Sequence, residues 1–246
     1  VFAIFIFASQ LGVLGIHFST LRYVSEHTGR NQKTVDDIVG GAIVLVTAIS
    51  AALTLLALAA TPLMERIWPI QGFRAAWLSL LPGLFCFGIN KVILSAINGS
   101  QHMRAFAVFQ ASRFALMLVA LALFITLNVP SVYLSGVISF AECILLPLLA
   151  CYGTKIIFSV GWKSSRTWLP RHLAFGLKVF PSGALGELNT RVDVLVVGAM
   201  LGGVQAGVYS IALLLCEGLA QLIVVVRNNI NPLITRAFFA NDDRAQ

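Results

Sequence analysis

Residues 175–209 read FGLKVFPSGALGELNTRVDVLVVGAMLGGVQAGVY. The stretch is apolar and long enough to cross a bilayer, whose ~30 Å hydrocarbon core takes about 20 helical residues. Yet Glu187, Arg191 and Asp193 stand near its middle. Charges at that depth are costly, and they mark either a functional site or a pair that neutralises itself. Glu187 precedes Arg191 by four residues, so on a helix the two share a face and can pair. Such a pair either locks helix packing or serves a site, and the spacing admits both. Asp193 lies about 200° round the helix from Arg191. It therefore needs another partner or a proton.

The chain around this stretch is built in the same way. Its 246 residues are 58% hydrophobic and 11% charged, where a soluble domain has roughly a quarter charged residues. The mean hydropathy is +0.89. Apolar blocks occupy residues 1–21, 38–62, 76–97, 105–127, 131–152, 176–202 and 206–226. These predict an all-α fold, a polytopic transmembrane helical bundle of about seven spans. The ~10-residue alternating segments of a membrane β-barrel are absent from the sequence. Residues 1–152 hold five spans. Residues 153–175 form a basic cytoplasmic linker with interfacial character, and residues 176–246 hold two spans and a polar tail. The first apolar run has no Met or basic segment before it and does not read as a signal peptide. The chain is expected to be an internal piece of a longer, transporter-like protein.

The formal net charge is +7. The basic residues fall mainly in alternate connections, residues 22–37, 98–104, 153–178 and 227–246, which hold twelve Lys and Arg. The opposite connections hold only Arg66 and Arg74. This asymmetry predicts that the first set is cytoplasmic. It accounts for the charge without nucleic acid, for which no binding motif is present. Cys86, Cys143, Cys151 and Cys216 form no CxxC and read as small buried hydrophobes. The four histidines have no ligand spacing, and no metal is expected. There is no phosphate-binding loop or nucleophile–base constellation. The short external connections weigh against a membrane-bound enzyme.

Seven charges fall inside the predicted spans: Lys91, Arg113 and Arg191, and Glu142, Glu187, Asp193 and Glu217. Lys91 is near enough to the cytoplasmic end of its span to snorkel. Arg113 is deeper, roughly 13 Å along a helix from Arg104, and is expected to be paired or to face a cavity. Glu142 and Glu217 have no basic residue four positions away. Each is expected to be protonated, bonded to another helix or lining a wet cavity. Gly198 with Gly202, and Gly203 with Gly207, have the spacing of closely packed membrane helices. Pro82, Pro147 and Pro181 are candidate bends.

Three segments resemble a known family. FPSGALGELNTRVDVLVVGAMLGGVQAGVYSIA is similar to the helix pair opening the second half of polysaccharide-export and O-antigen flippases, within the multidrug/oligosaccharidyl-lipid/polysaccharide exporter superfamily. The matching positions are Pro181, Asp193, Gly198, Gly207, Tyr209 and Ala212. LGIHFSTLRYVSEHTGRNQ and ILSAINGSQHMRAF resemble the family's second helix and the end of its fourth. The resemblance implies a two-lobe transporter, of which this chain supplies part. It implies alternating access in the bacterial inner membrane, moving a polyprenyl-pyrophosphate-linked oligosaccharide to the outer leaflet, with polysaccharide-assembly proteins as partners. On that basis Lys91, Arg113 and Arg191 are candidates to bind the pyrophosphate. Glu142, Glu187, Asp193 and Glu217 are candidates to bind a coupling H⁺ or Na⁺, and no other cofactor is expected. The alternatives are a multidrug or metabolite exporter of the same superfamily and a polysaccharide-assembly enzyme.

Overall fold

The computed structural model describes residues 1–67, 71–156, 165–189, 192–202, 204–213, 215–216 and 218–220. Its α-helices run in the order α1 Phe2–Val13, α2 Ile16–His27, α3 Gln32–Ala59, α4 Thr61–Ile67, α5 Phe73–Gly99, α6 Met103–Thr126, α7 Gly136–Ile156, α8 Leu169–Asn189 and α9 Val192–Leu201. No strand occurs among the described residues. Helices α3, α5 and α6 and residues Gly136–Thr154 of α7 are long and apolar enough to cross a membrane. The pair α1 and α2, bent by 44°, passes as a fifth span. The expected all-α fold is present, but the described residues hold four or five helices long and apolar enough to span rather than seven. The chain forms two compact units, Val1–Leu188 and Asn189–Gln246.

The first unit is assembled around α5, which packs against α1, α2, α3, α6 and α7. Helix α3 starts where the Asn31 side chain accepts a hydrogen bond from Thr34 N–H, at 3.2 Å. Such a cap contributes about 1 kcal/mol. Helix α6 forms the periphery. Val108, Phe114, Leu118, Val119 and Ile125 are all exposed, as a lipid-facing helix requires. Between membrane helices the hydrophobic effect offers little, so close packing and interhelical hydrogen bonds must hold the bundle.

The α5–α7 contact shows how this is done. Pro82 lies inside α5 without ending it. Beside it, the Ser139 hydroxyl of α7 sits between Gly83 N–H and Ser79 C=O, two groups that would otherwise bond to each other in an α-helix. It accepts from Gly83 N at 2.9 Å and donates to Ser79 O at 2.6 Å. Only glycine allows this approach, because a Cβ at position 83 would lie 2.8 Å from Ser139 Cα. Ser135 extends the seam by donating to Ala76 O at 2.9 Å.

The first predicted span is broken rather than continuous. Leu14 (φ 44°) and Gly15 (φ 71°) are left-handed and separate α1 from α2. The break lets α8 approach: a Cβ on Gly15 would stand 2.7 Å from Gly176 O. Helix α8 starts at Leu169, inside the segment assigned to the linker, and residues 190 and 191 of the predicted span 176–202 lie outside the described residues. Helix α8 carries Arg171, His172 and Lys178 and is not among the helices apolar enough to span. The predicted span 206–226 lies partly outside the described residues.

Candidate functional site

Two apolar clusters occupy the bundle. One includes Ile16, Ile38, Val92, Ile97 and Leu145, and the other includes Phe5, Phe73, Trp77, Leu80 and Leu84. Glu142 lies on α7 between Ile138, packed against the second, and Leu145, a member of the first. A carboxylate at this depth, with no surface exposure, requires partners from other helices. Two supply them.

Helix α5 brings Asn90, which is also fully buried. Its Nδ2 donates to Glu142 Oε2 at 2.8 Å and to the Glu142 backbone oxygen at 2.9 Å. Helix α6 brings Arg113. Its Nη2 donates to Oε2 at a marginal 3.5 Å, and its Nε lies 2.8 Å from Oε1. That shorter contact is an ion pair without a hydrogen bond, because the Nε–H is not directed at Oε1. Arg113 Nε, Glu142 Oε1 and Asn90 Oδ1 are thus buried polar atoms without a hydrogen-bond partner among the described residues. The pair is unequal in access: 13% of the Arg113 side chain is exposed and none of Glu142. Removing one partner of such a pair costs about 3–5 kcal/mol, since the other charge stays buried.

Lys91 follows Asn90 on α5 and turns to α1, where its Nζ donates to Gln10 Oε1 at 3.1 Å. It does not merely snorkel. Phe87, one turn earlier, joins the two cations. Arg113 Cζ is 5.2 Å and Lys91 Nζ 5.7 Å from the centroid of its ring. A face-on cation contact adds about 0.5–2 kcal/mol. His17 of α2 is buried within electrostatic reach of Lys91, and its Nδ1 has no hydrogen-bond partner among the described residues. The site therefore holds two cations, one buried carboxylate, four buried acceptor or donor atoms with spare capacity among the described residues, and a shared ring.

Arg191 and Glu217 lie outside the described residues, as does the Glu187 side chain, and with them the expected Glu187–Arg191 pair. Asp193 belongs to the second unit, in the first turn of α9, where the helix dipole favours a negative charge. Its Oδ1 accepts from Val194 N–H, and its Oδ2 accepts from the Tyr209 hydroxyl, both at 2.8 Å. Two positions of the family-like segment thus touch each other. Gly198 and Ala206 also pack closely in this unit, with a Cβ at 198 falling 3.6 Å from Ala206 Cβ.

Spacing did not point to Gln10, Phe87 or Asn90. A signal for Asn90 was present: Ser79, Gly83, Cys86 and Asn90 recur at helical intervals on one face of an apolar helix. The cysteines differ from expectation. Cys86 is buried, but Cys143, Cys151 and Cys216 are exposed. Cys86 Sγ is 3.6 Å from Cys143 Sγ, which places this contact in the same α5–α7 seam. No family model matches the chain, and neither a curated protein nor a solved structure is detectably similar to it.

Proposed function

We propose that this chain is part of a flippase that carries a polyprenyl-pyrophosphate-linked oligosaccharide across the bacterial inner membrane by alternating access. The observation that carries the proposal is the pairing of Lys91 and Arg113 against one ring, Phe87, in the middle of an apolar bundle. A diphosphate headgroup does not cross hydrocarbon unaided, and a guanidinium beside an ammonium offsets its charge. The family-like segments supply the lipid-linked sugar as substrate class. Lys91 stands beside the Arg113–Glu142 pair as a second basic group against Phe87.

The test is transport in proteoliposomes loaded with labelled polyprenyl-pyrophosphate oligosaccharide. The expected result is transbilayer movement well above that of empty liposomes, with no uptake of a lipophilic cationic dye. Movement equal to that of empty liposomes removes the proposal, and dye transport alone moves the chain to the exporter reading.

A further inference from the structure

We infer that Arg113 is shared between Glu142 and the anionic headgroup, so that anion binding and protonation of Glu142 occur together. This rests on the flippase reading above and assigns the coupling ion within the same site.

The asymmetry of the ion pair sets the direction of events. Glu142 is wholly enclosed, while Arg113 is partly accessible. An incoming anion therefore meets the guanidinium and not the carboxylate. The contact that it must disturb is incomplete, since Nε–H of Arg113 is not aimed at Oε1 and Nη2 reaches Oε2 only at 3.5 Å. Phe87 offers the guanidinium a second favourable surface during the exchange. Once Arg113 turns to the anion, Glu142 is left charged in an apolar interior, where a carboxylate takes up a proton. The proton comes from a protonated buffer acid or hydronium ion of the solvent, whose O–H or N–H bond breaks as one O–H bond forms on Glu142. The net change is one proton and one anion bound, with Arg113 charged throughout.

The groups facing Glu142 support a proton rather than a metal cation. Helix α7 packs against α5 and α6. The charged residues of α5 are Arg74 and Lys91, and those of α6 are Arg104 and Arg113. Lys91 is bonded to Gln10, and Arg74 and Arg104 lie near the starts of their helices. The titratable thiols nearby are Cys86 of α5 and Cys143 of α7. With Arg113 drawn away, the identified oxygen atoms are the two of Glu142 and Asn90 Oδ1. A hard metal cation takes more oxygen ligands than these, while a proton takes one. Asn90 already donates to Oε2 and so holds the neutral carboxyl as well as the charged one.

The experiment measures farnesyl pyrophosphate binding to the purified protein by calorimetry between pH 6 and 8. At pH 8 it is run in two buffers of different ionisation enthalpy, to count protons. The expected wild-type result is uptake of about one proton per ligand and at least tenfold tighter binding at pH 6 than at pH 8. Glu142→Gln, which keeps an uncharged group for Asn90, is expected to bind at pH 8 about tenfold more tightly than wild type and to lose this proton. A merely structural Glu142 would give weaker binding in that variant. Binding with no proton uptake, or the same pH profile in both proteins, overturns the inference and leaves the flippase reading standing. Binding that tightens when Na⁺ replaces K⁺ at fixed pH overturns the choice of a proton. Absence of farnesyl pyrophosphate binding at any pH removes the flippase reading itself.

Discussion

At the scale of single residues, the arrangement turns on how Glu142 is kept in the bundle. Asn90 donates twice to it, to the side chain and to the backbone. Asn90→Ala leaves two buried acceptors short of a donor, each costing about 1–3 kcal/mol. It is expected to lower the unfolding midpoint in detergent, and an unchanged midpoint would remove Asn90 from the support of the carboxylate. Arg113→Ala strands Glu142 and is expected to lose stability within the ~3–5 kcal/mol range of a broken buried pair. Adding Glu142→Gln removes the stranded charge, so the double variant is expected to regain most of that stability while its transport stays lost. Additive losses in this double-mutant cycle would mean that the two side chains do not interact. None of this was legible from spacing. Arg113 and Glu142 are 29 residues apart on different helices, and only local, i to i+4 partners can be read along a chain. The chain did reveal that both charges lie too deep to be left alone.

At the scale of helices, the seam between α5 and α7 and the docking of α8 carry the structure. Gly83→Ala places a methyl group against the Ser139 backbone. It is expected to cost about 1–3 kcal/mol through overpacking. Cys86 and Cys143 report the same register. At 3.6 Å between sulfur atoms, they are expected to cross-link under copper-phenanthroline oxidation, protecting two thiols from alkylation. Failure to cross-link would contradict the pairing of these helices. Helix α8 is held by His172, whose Nε2 lies 3.0 Å from Ile38 O and whose Nδ1 lies 2.7 Å from Ser19 Oγ. A carbonyl only accepts, so Nε2 carries the proton of the neutral ring, and Nδ1 then accepts from the Ser19 hydroxyl in place of that hydroxyl's bond to Ile16 O. Burial pushes His172 down to about 4, against an upward pull from the Ile38 bond. The unfolded value is 6.5, so the released segment binds more protons than the docked one between these values. Docking is therefore expected to weaken as pH falls from 6.5 towards 4. Amide exchange across residues 169–176, corrected for its intrinsic pH dependence, should be faster at pH 5 than at pH 7.5. Equal protection would contradict the histidine anchor. The break at Leu14–Gly15 was hidden because its reason, Gly176, lies far along the chain.

At the scale of the whole molecule, the long apolar blocks made the membrane bundle readable. A helix in lipid must satisfy its own backbone and bury little but hydrocarbon, so length and hydropathy nearly define it. Helices α3, α5, α6 and α7 lie close to their predicted bounds for that reason. What composition does not encode is which helix is central. Helix α5 takes that place through glycines, serines and an asparagine that admit neighbours on every side. The result is a bundle with apolar clusters and a basic, carboxylate-balanced site between helices, which the proposed function assigns to an anionic headgroup. Transport of labelled polyprenyl-pyrophosphate oligosaccharide in proteoliposomes tests this most directly when wild type is set beside the Arg113→Ala/Glu142→Gln double variant, matched for incorporation. The account predicts movement by the wild type and movement at the level of empty liposomes for the double variant. Equal transport by the two proteins, or none by either, would contradict it.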